Sequence, residues 1–233
     1  MKNKRIWELD ALRGLCILCM VVVHFFFDLG AFTQIDLTMP GWFAFIKQYG
    51  HIIFILISGI CVTFSSRSFR RGIIVFAAGL VITAVTVFLV YVLDFTKSIM
   101  IFFGILHMLG LCMMLYPLFK KMPIWLQALL GVAFVALGFW FDTMIVDVKF
   151  LFPFGLTFPG FFSGDYFPLF PGLGWFLLGA VIGRTLYSDK KSRLPKVNEN
   201  FFLIRFFSWC GRQSLWIYML HQPVLMGIVY LFF

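Results

Sequence analysis

Residues 10–30 read DALRGLCILCMVVVHFFFDLG. At a rise of about 1.5 Å per residue, such a run makes a helix of about 30 Å, enough to cross the hydrocarbon core of a bilayer. Four ionisable residues interrupt it: Asp10, Arg13, His24 and Asp28. With Asp10 as origin and ~100° per residue, they fall at about 0°, −60°, −40° and 0° around the helix axis, on one narrow stripe. Charged groups at membrane depth are costly and face a bundle interior or a wet cavity. The run therefore predicts a spanning helix that turns one polar edge inward. A cleaved signal peptide is not expected, because the apolar stretch is too long, holds His24 and Asp28, and has no small-x-small site after it.

The rest of the chain agrees with that opening. Its 233 residues are 62% hydrophobic and 12% charged, whereas soluble domains run at about 45–50% apolar and about 25% charged. With a mean hydropathy of +0.98, this excludes a soluble enzyme, a disordered chain, a secreted disulfide scaffold and a nucleic-acid-binding domain. Apolar runs near 10–30, 42–64, 72–93, 98–119, 124–141, 167–187 and 212–233 predict about seven spans. Residues 201–210 (FFLIRFFSWC) predict an interfacial amphipathic helix. The expected fold is thus an all-α integral membrane protein, a bundle of about seven transmembrane helices forming a single domain over residues 1–233.

Charge placement sets the orientation. With the N-terminus in the cytoplasm, only Lys47, Lys97 and Lys149 of the 19 Lys and Arg fall outside, the asymmetry expected of a multi-pass protein. The expectation is a cell-membrane protein with a cytoplasmic N-terminus and an external C-terminus. The net charge of +9 then belongs to loops that meet the translocon and anionic membrane lipid; a nucleic-acid partner is not expected. A homodimer is left open. Cys16, Cys19, Cys61, Cys112 and Cys210 read as small hydrophobes, and no metal site is expected.

Other polar residues repeat the pattern of the first span. Ser214, Tyr218 and His221 fall at about 0°, +40° and −20° on one face of the last span, followed by Gln222 and Pro223. Proline at that point is expected to loosen the preceding turn. Span four carries Gly104, His107 and Gly110, small residues that permit close helix approach around an imidazole. His51 lies in the outer part of span two. All four histidines therefore lie within spans, which favours function over packing. His24 and Asp28, at i and i+4, suit a carboxylate that orients an imidazole. The loop between spans five and six is rich in Phe and Pro and ends with Asp165 and Tyr166; the aromatics fit an interfacial belt, the acid does not.

The segment Arg5-IWELDALR-Gly14 running into HFFFDL at 24–29 resembles the opening of the heparan-α-glucosaminide N-acetyltransferase catalytic-domain family, in its bacterial-type members. The resemblance continues through Ile57-Ser58-Gly59, Gly104-Ile-Leu-His107, Asp165-Tyr-Phe-Pro-Leu-Phe-Pro171 and Gly211-Arg-Gln-Ser214 with Tyr218 and His221-Gln-Pro223. It implies a transmembrane acyltransferase that moves an acyl group, acetyl foremost, from cytosolic acyl-CoA to a sugar-like acceptor outside; heparan sulfate itself is not expected as the substrate. Acetyl-CoA or another acyl-CoA is then the donor. Under this reading His24 leads the catalytic candidates as base or acyl carrier, Asp28 orients it, and His107 and His221 follow. Arg13 and Arg212 would meet the donor's phosphates, with Ser214 and Tyr218 nearby. Asp165, Tyr166 and His51 would serve the acceptor, and Asp10 would hold the inner interface. The rival class is a small-molecule or lipid permease using the same stripe, against which stands the lack of an inverted repeat; a structural subunit would leave the histidines idle.

Overall fold

A computed structural model describes residues 6–33, 41–194 and 197–232. Helices make up 75% of it: α1 (Trp7–Phe32), α2 (Gly41–Val62), α3 (Ser68–Val92), α4 (Ile105–Phe119), α5 (Ile124–Asp142), α6 (Leu169–Leu186), α7 (Phe202–Arg212) and α8 (Ser214–Phe232). Two short 3₁₀ turns, Lys97–Ile99 and Lys149–Phe154, lie in the connections. Among the described residues, six helices (α1, α2, α3, α5, α6 and α8) are long and apolar enough to cross a membrane. In lipid, a backbone must satisfy its own hydrogen bonds, which helices do internally. The chain is an all-α integral membrane protein.

The chain packs as two compact units, residues 1–57 with 187–233 and residues 58–186. In the first, α1 packs against α7 and α8. Its closest approach is between glycines. A methyl on Gly14 would overlap the Phe207 carbonyl, and one on Gly211 would overlap the Asp10 carbonyl. Only the absence of a side chain lets the two backbones come this near. The amphipathic helix expected over 201–210 is α7. Its Ser208, Cys210 and Gly211 are buried against α1, while Phe202, Phe206 and Trp209 lie exposed. Backbone bonding from Gln213 N to the Trp209 and Cys210 carbonyls closes α7. From Ser214, α8 then runs unbroken through Pro223, so the loosening expected there does not end the helix.

In the second unit, α3 packs on α4, α5 on α6, and α4 on α6. Met108, Cys112, Phe176, Leu177 and Ala180 form its solvent-free core. Gly72 and Gly110 seat α3 against α4, each facing the other helix's backbone. The span expected over 98–119 is shorter as a helix: α4 begins only at Ile105, after an extended Gly104. The cause is tertiary. Three backbone groups of residues 100–103 bond to the loop before α6, the Met100 carbonyl accepting from Gly164 N (2.8 Å), the Phe103 carbonyl from Phe167 N (3.0 Å) and Phe102 N donating to Ser163 Oγ (3.2 Å), while Ile101 N donates to Thr86 Oγ1 on α3 (3.2 Å). Backbone groups satisfied in that way need no helix.

Candidate active site

The histidine pair lies in the first unit, on α1 and α8. His24 of α1 and His221 of α8 meet edge to face, with ring centroids 5.0 Å apart and planes at 61°. One turn of α8 orients the second ring: His221 Nδ1 lies 2.6 Å from the Tyr218 carbonyl. A carbonyl only accepts, so Nδ1 carries the hydrogen and Nε2 is the basic nitrogen of the neutral ring. The Tyr218 ring packs at 5.3 Å from the same imidazole.

Asp28 does not take the partner that the i, i+4 spacing suggests. Its carboxylate is 1% exposed, and both its oxygens accept from Gln222 Nε2 at 3.0 Å. Gln222 Oε1 is itself buried without a hydrogen-bond partner. The constellation is therefore two imidazoles beside an acid–amide pair. The sequence names Gln222 beside His221 but assigns it no role in the site. The signal was present, since it adjoins His221 in an apolar run, but pairing it with Asp28 requires knowing that α1 and α8 touch.

Toward the start of α1, a cavity of about 650 Å³ opens along α7, lined among others by Trp7, Asp10, Arg205, Trp209 and Arg212. Arg212, which the sequence reading expects to meet a donor's phosphates, lines this cavity. Arg13 instead pairs with Asp10 at 4.0 Å and does not line the cavity. Arg205 and the two tryptophans were not singled out by the sequence, because an interfacial helix offers such residues as lipid anchors too. Along α1, Asp10 and His24 are separated by a rise of about 21 Å. Ser214 opens α8, half-buried, and His51 sits half-buried in α2.

His107, Asp165 and Tyr166 belong to the second unit, where they hold structure together. His107 is 2% exposed. Its Nδ1 accepts from Gly104 N at 3.2 Å, and its Nε2 faces Thr83 Oγ1 at 3.5 Å. Phe103 stacks on the ring, and Gly79 leaves room for it. Asp165 Oδ2 accepts from Ile105 N at 3.3 Å, a carboxylate at the positive end of α4. The Tyr166 hydroxyl donates to the Phe152 carbonyl. Burial first, and the nearby Asp142 charge second, push its phenol above the ordinary range.

The fold and site together define a polytopic membrane protein with a paired-imidazole site inside its helices. The catalytic-domain model of heparan-alpha-glucosaminide N-acetyltransferase matches residues 5–223, and the chain belongs to that family. It is a membrane acetyltransferase. No curated protein and no solved structure matches the chain.

Proposed function

We propose that the first unit transfers an acetyl group from acetyl-CoA to the amino or hydroxyl group of a sugar, with the His24–His221 pair as its acid–base centre. The observation that carries this reading is the contact of two imidazoles from different helices, one with its tautomer set by a backbone carbonyl. The donor's nucleotide occupies the cavity at Arg205 and Arg212, and its long flexible arm runs along α1 to the histidines. The acceptor's nitrogen or oxygen attacks the thioester carbon, a C–N or C–O bond forms, and the C–S bond breaks. His221 Nε2 takes the acceptor's proton, and the pair returns a proton to the departing thiolate. Asp28 and Gln222 position the acceptor beside the two imidazoles. The amino-sugar reading draws support from the family's description, and the orientation of donor and acceptor sides from the 16-to-3 charge asymmetry.

Reconstituted protein given radiolabelled acetyl-CoA, with glucosamine as acceptor, tests the proposal. Release of CoA and appearance of N-acetylated sugar are expected. His24→Ala and His221→Ala should each lower turnover by about 100-fold or more, the scale of losing a general base. The double variant should be little worse than either single one, as for groups that act as a unit. Near-wild-type turnover in both folded single variants would overturn the assignment. Accumulation of labelled substrate in vesicles without CoA release would instead mark a transporter.

A further inference from the structure

A second polar cluster lies in the second unit, where α6 ends beside the turn between α4 and α5. Arg184, in the last turn of α6, donates from Nη1 to the Met122 carbonyl at 2.8 Å and to Gln127 Oε1 at 2.7 Å. Nη1 has two hydrogens, so both are committed, and the guanidinium plane is held against the turn. The other edge, Nε with Nη2, has no partner among the described residues, and no carboxylate there pairs with this cation. Gln127 supplies an independent sign. Its side chain is 0% exposed, yet Nε2 has no acceptor. Buried donors are nearly always satisfied, and the unmet ones mark a missing partner. Lys120 and Lys121 in the adjoining turn raise the local positive charge further.

We propose that Arg184 and Gln127 form a phosphate-binding site separate from the paired-histidine centre. The Nε–Nη2 edge is the planar fork that meets two oxygens of a tetrahedral oxyanion, and an Arg fixed by two bonds loses little freedom when it does so. Gln127 Nε2 is the neighbouring neutral donor. A carboxylate ligand would need only the single guanidinium; two further lysines favour the higher charge of a phosphate. The phosphate is that of a phospholipid headgroup or of a soluble phosphate compound, since the cluster sits at a helix end. The inference does not depend on the acetyl-transfer mechanism.

Gln127→Glu separates ligand binding from architecture. Its carboxylate keeps the Arg184 Nη1 bond, so the turn stays pinned, but the charge of Arg184 is cancelled and the Nε2 donor is gone. Thermal unfolding of the detergent-purified full-length protein is followed in two arms, each against chloride at equal ionic strength. One arm titrates inorganic phosphate; the other titrates short-chain phosphatidylglycerol into the micelle. Wild-type protein should be stabilised in at least one arm, and that arm identifies the source. Gln127→Glu should fold normally and bind at least about tenfold more weakly in the same arm, the scale of a lost charge-assisted hydrogen bond. Arg184→Lys, which retains charge but not the fork, is the second variant and should also lose about tenfold. No stabilisation of the wild type in either arm, or affinity in both variants within about twofold of wild type, would overturn the site and leave Arg184 as a pin for the turn. Binding at the Arg212 cavity does not confuse the result, because neither variant touches that unit.

Discussion

His107 and His221 are both imidazoles on apolar helices, both within runs that match one family, and the structure uses them in opposite ways. His107 turns its Nδ1 lone pair back to the Gly104 N–H and its other nitrogen to Thr83, so the ring serves as a cap for α4. His221 gives the Nδ1 hydrogen to a carbonyl, which leaves Nε2 as its basic nitrogen, and the ring packs edge to face with a second imidazole. The difference lies in what one nitrogen is bonded to. A histidine that accepts a buried backbone N–H would lose that bond on protonation, whereas one that donates to a carbonyl can gain a proton at the other nitrogen without disturbing it. Proton transfer is open to the second arrangement and costly for the first.

The largest effect expected from this contrast is a split of phenotype. His107→Ala should cost about 3 kcal/mol of stability, from an orphaned buried donor together with the cavity left behind, while the folded fraction keeps its turnover. Chemical unfolding with a parallel assay of CoA release would show it. A stable His107→Ala protein that has lost catalysis by about 100-fold would invert the comparison.

Donor binding can be removed without touching either histidine. Arg212→Ala should weaken CoA affinity about tenfold, or ~1.4 kcal/mol, by loss of a guanidinium–phosphate contact. Gly211→Ala should disturb the same cavity by another route, forcing α1 and α7 apart at a cost of about 1–3 kcal/mol, the range for overpacked sites. Isothermal titration with CoA and a thermal melt separate the two. Unchanged affinity in Arg212→Ala would restore that residue to an interfacial anchor.

Asp28→Asn sharpens the comparison on the catalytic side. Its remaining oxygen still accepts from Gln222, so the pair should survive with a loss of about 1 kcal/mol, near the net value of a hydrogen bond, well below the effect of His24→Ala. An Asp28→Asn protein as inactive as His24→Ala would place the charge itself in the chemistry.

The smallest expected effect is at Tyr166. Its phenol is raised in the folded chain by burial, so the protonated form, which donates to Phe152, is favoured there over the unfolded state. The contribution is complete below the ordinary phenol value of about 10 and fades as pH rises beyond it. Wild-type protein should lose stability relative to Tyr166→Phe in that alkaline range alone, with ultraviolet phenolate absorbance appearing later in the folded than in the unfolded chain.

Much of this was readable from local chemistry. Long apolar runs name the spanning helices because lipid tolerates only backbones that bond to themselves. The 3.6-residue period alone places His24, Asp28 and Asp10 on one edge of α1. Motifs in order from Arg5 to Pro223 pointed to the family that the match over residues 5–223 shows. Partnerships were another matter, since they join residues remote in the chain. Asp28 and Gln222 stand 194 positions apart, and no spacing rule brings them together in preference to Asp28 and His24. Nor does anything within 98–104 prevent helix formation; bonds from residues 100–103 to the loop at 163–167 and to Thr86 of α3 engage the backbone instead. Periodicity within one segment decided which residues face inward, whereas what each meets there depended on contacts between segments, which only the tertiary structure supplies.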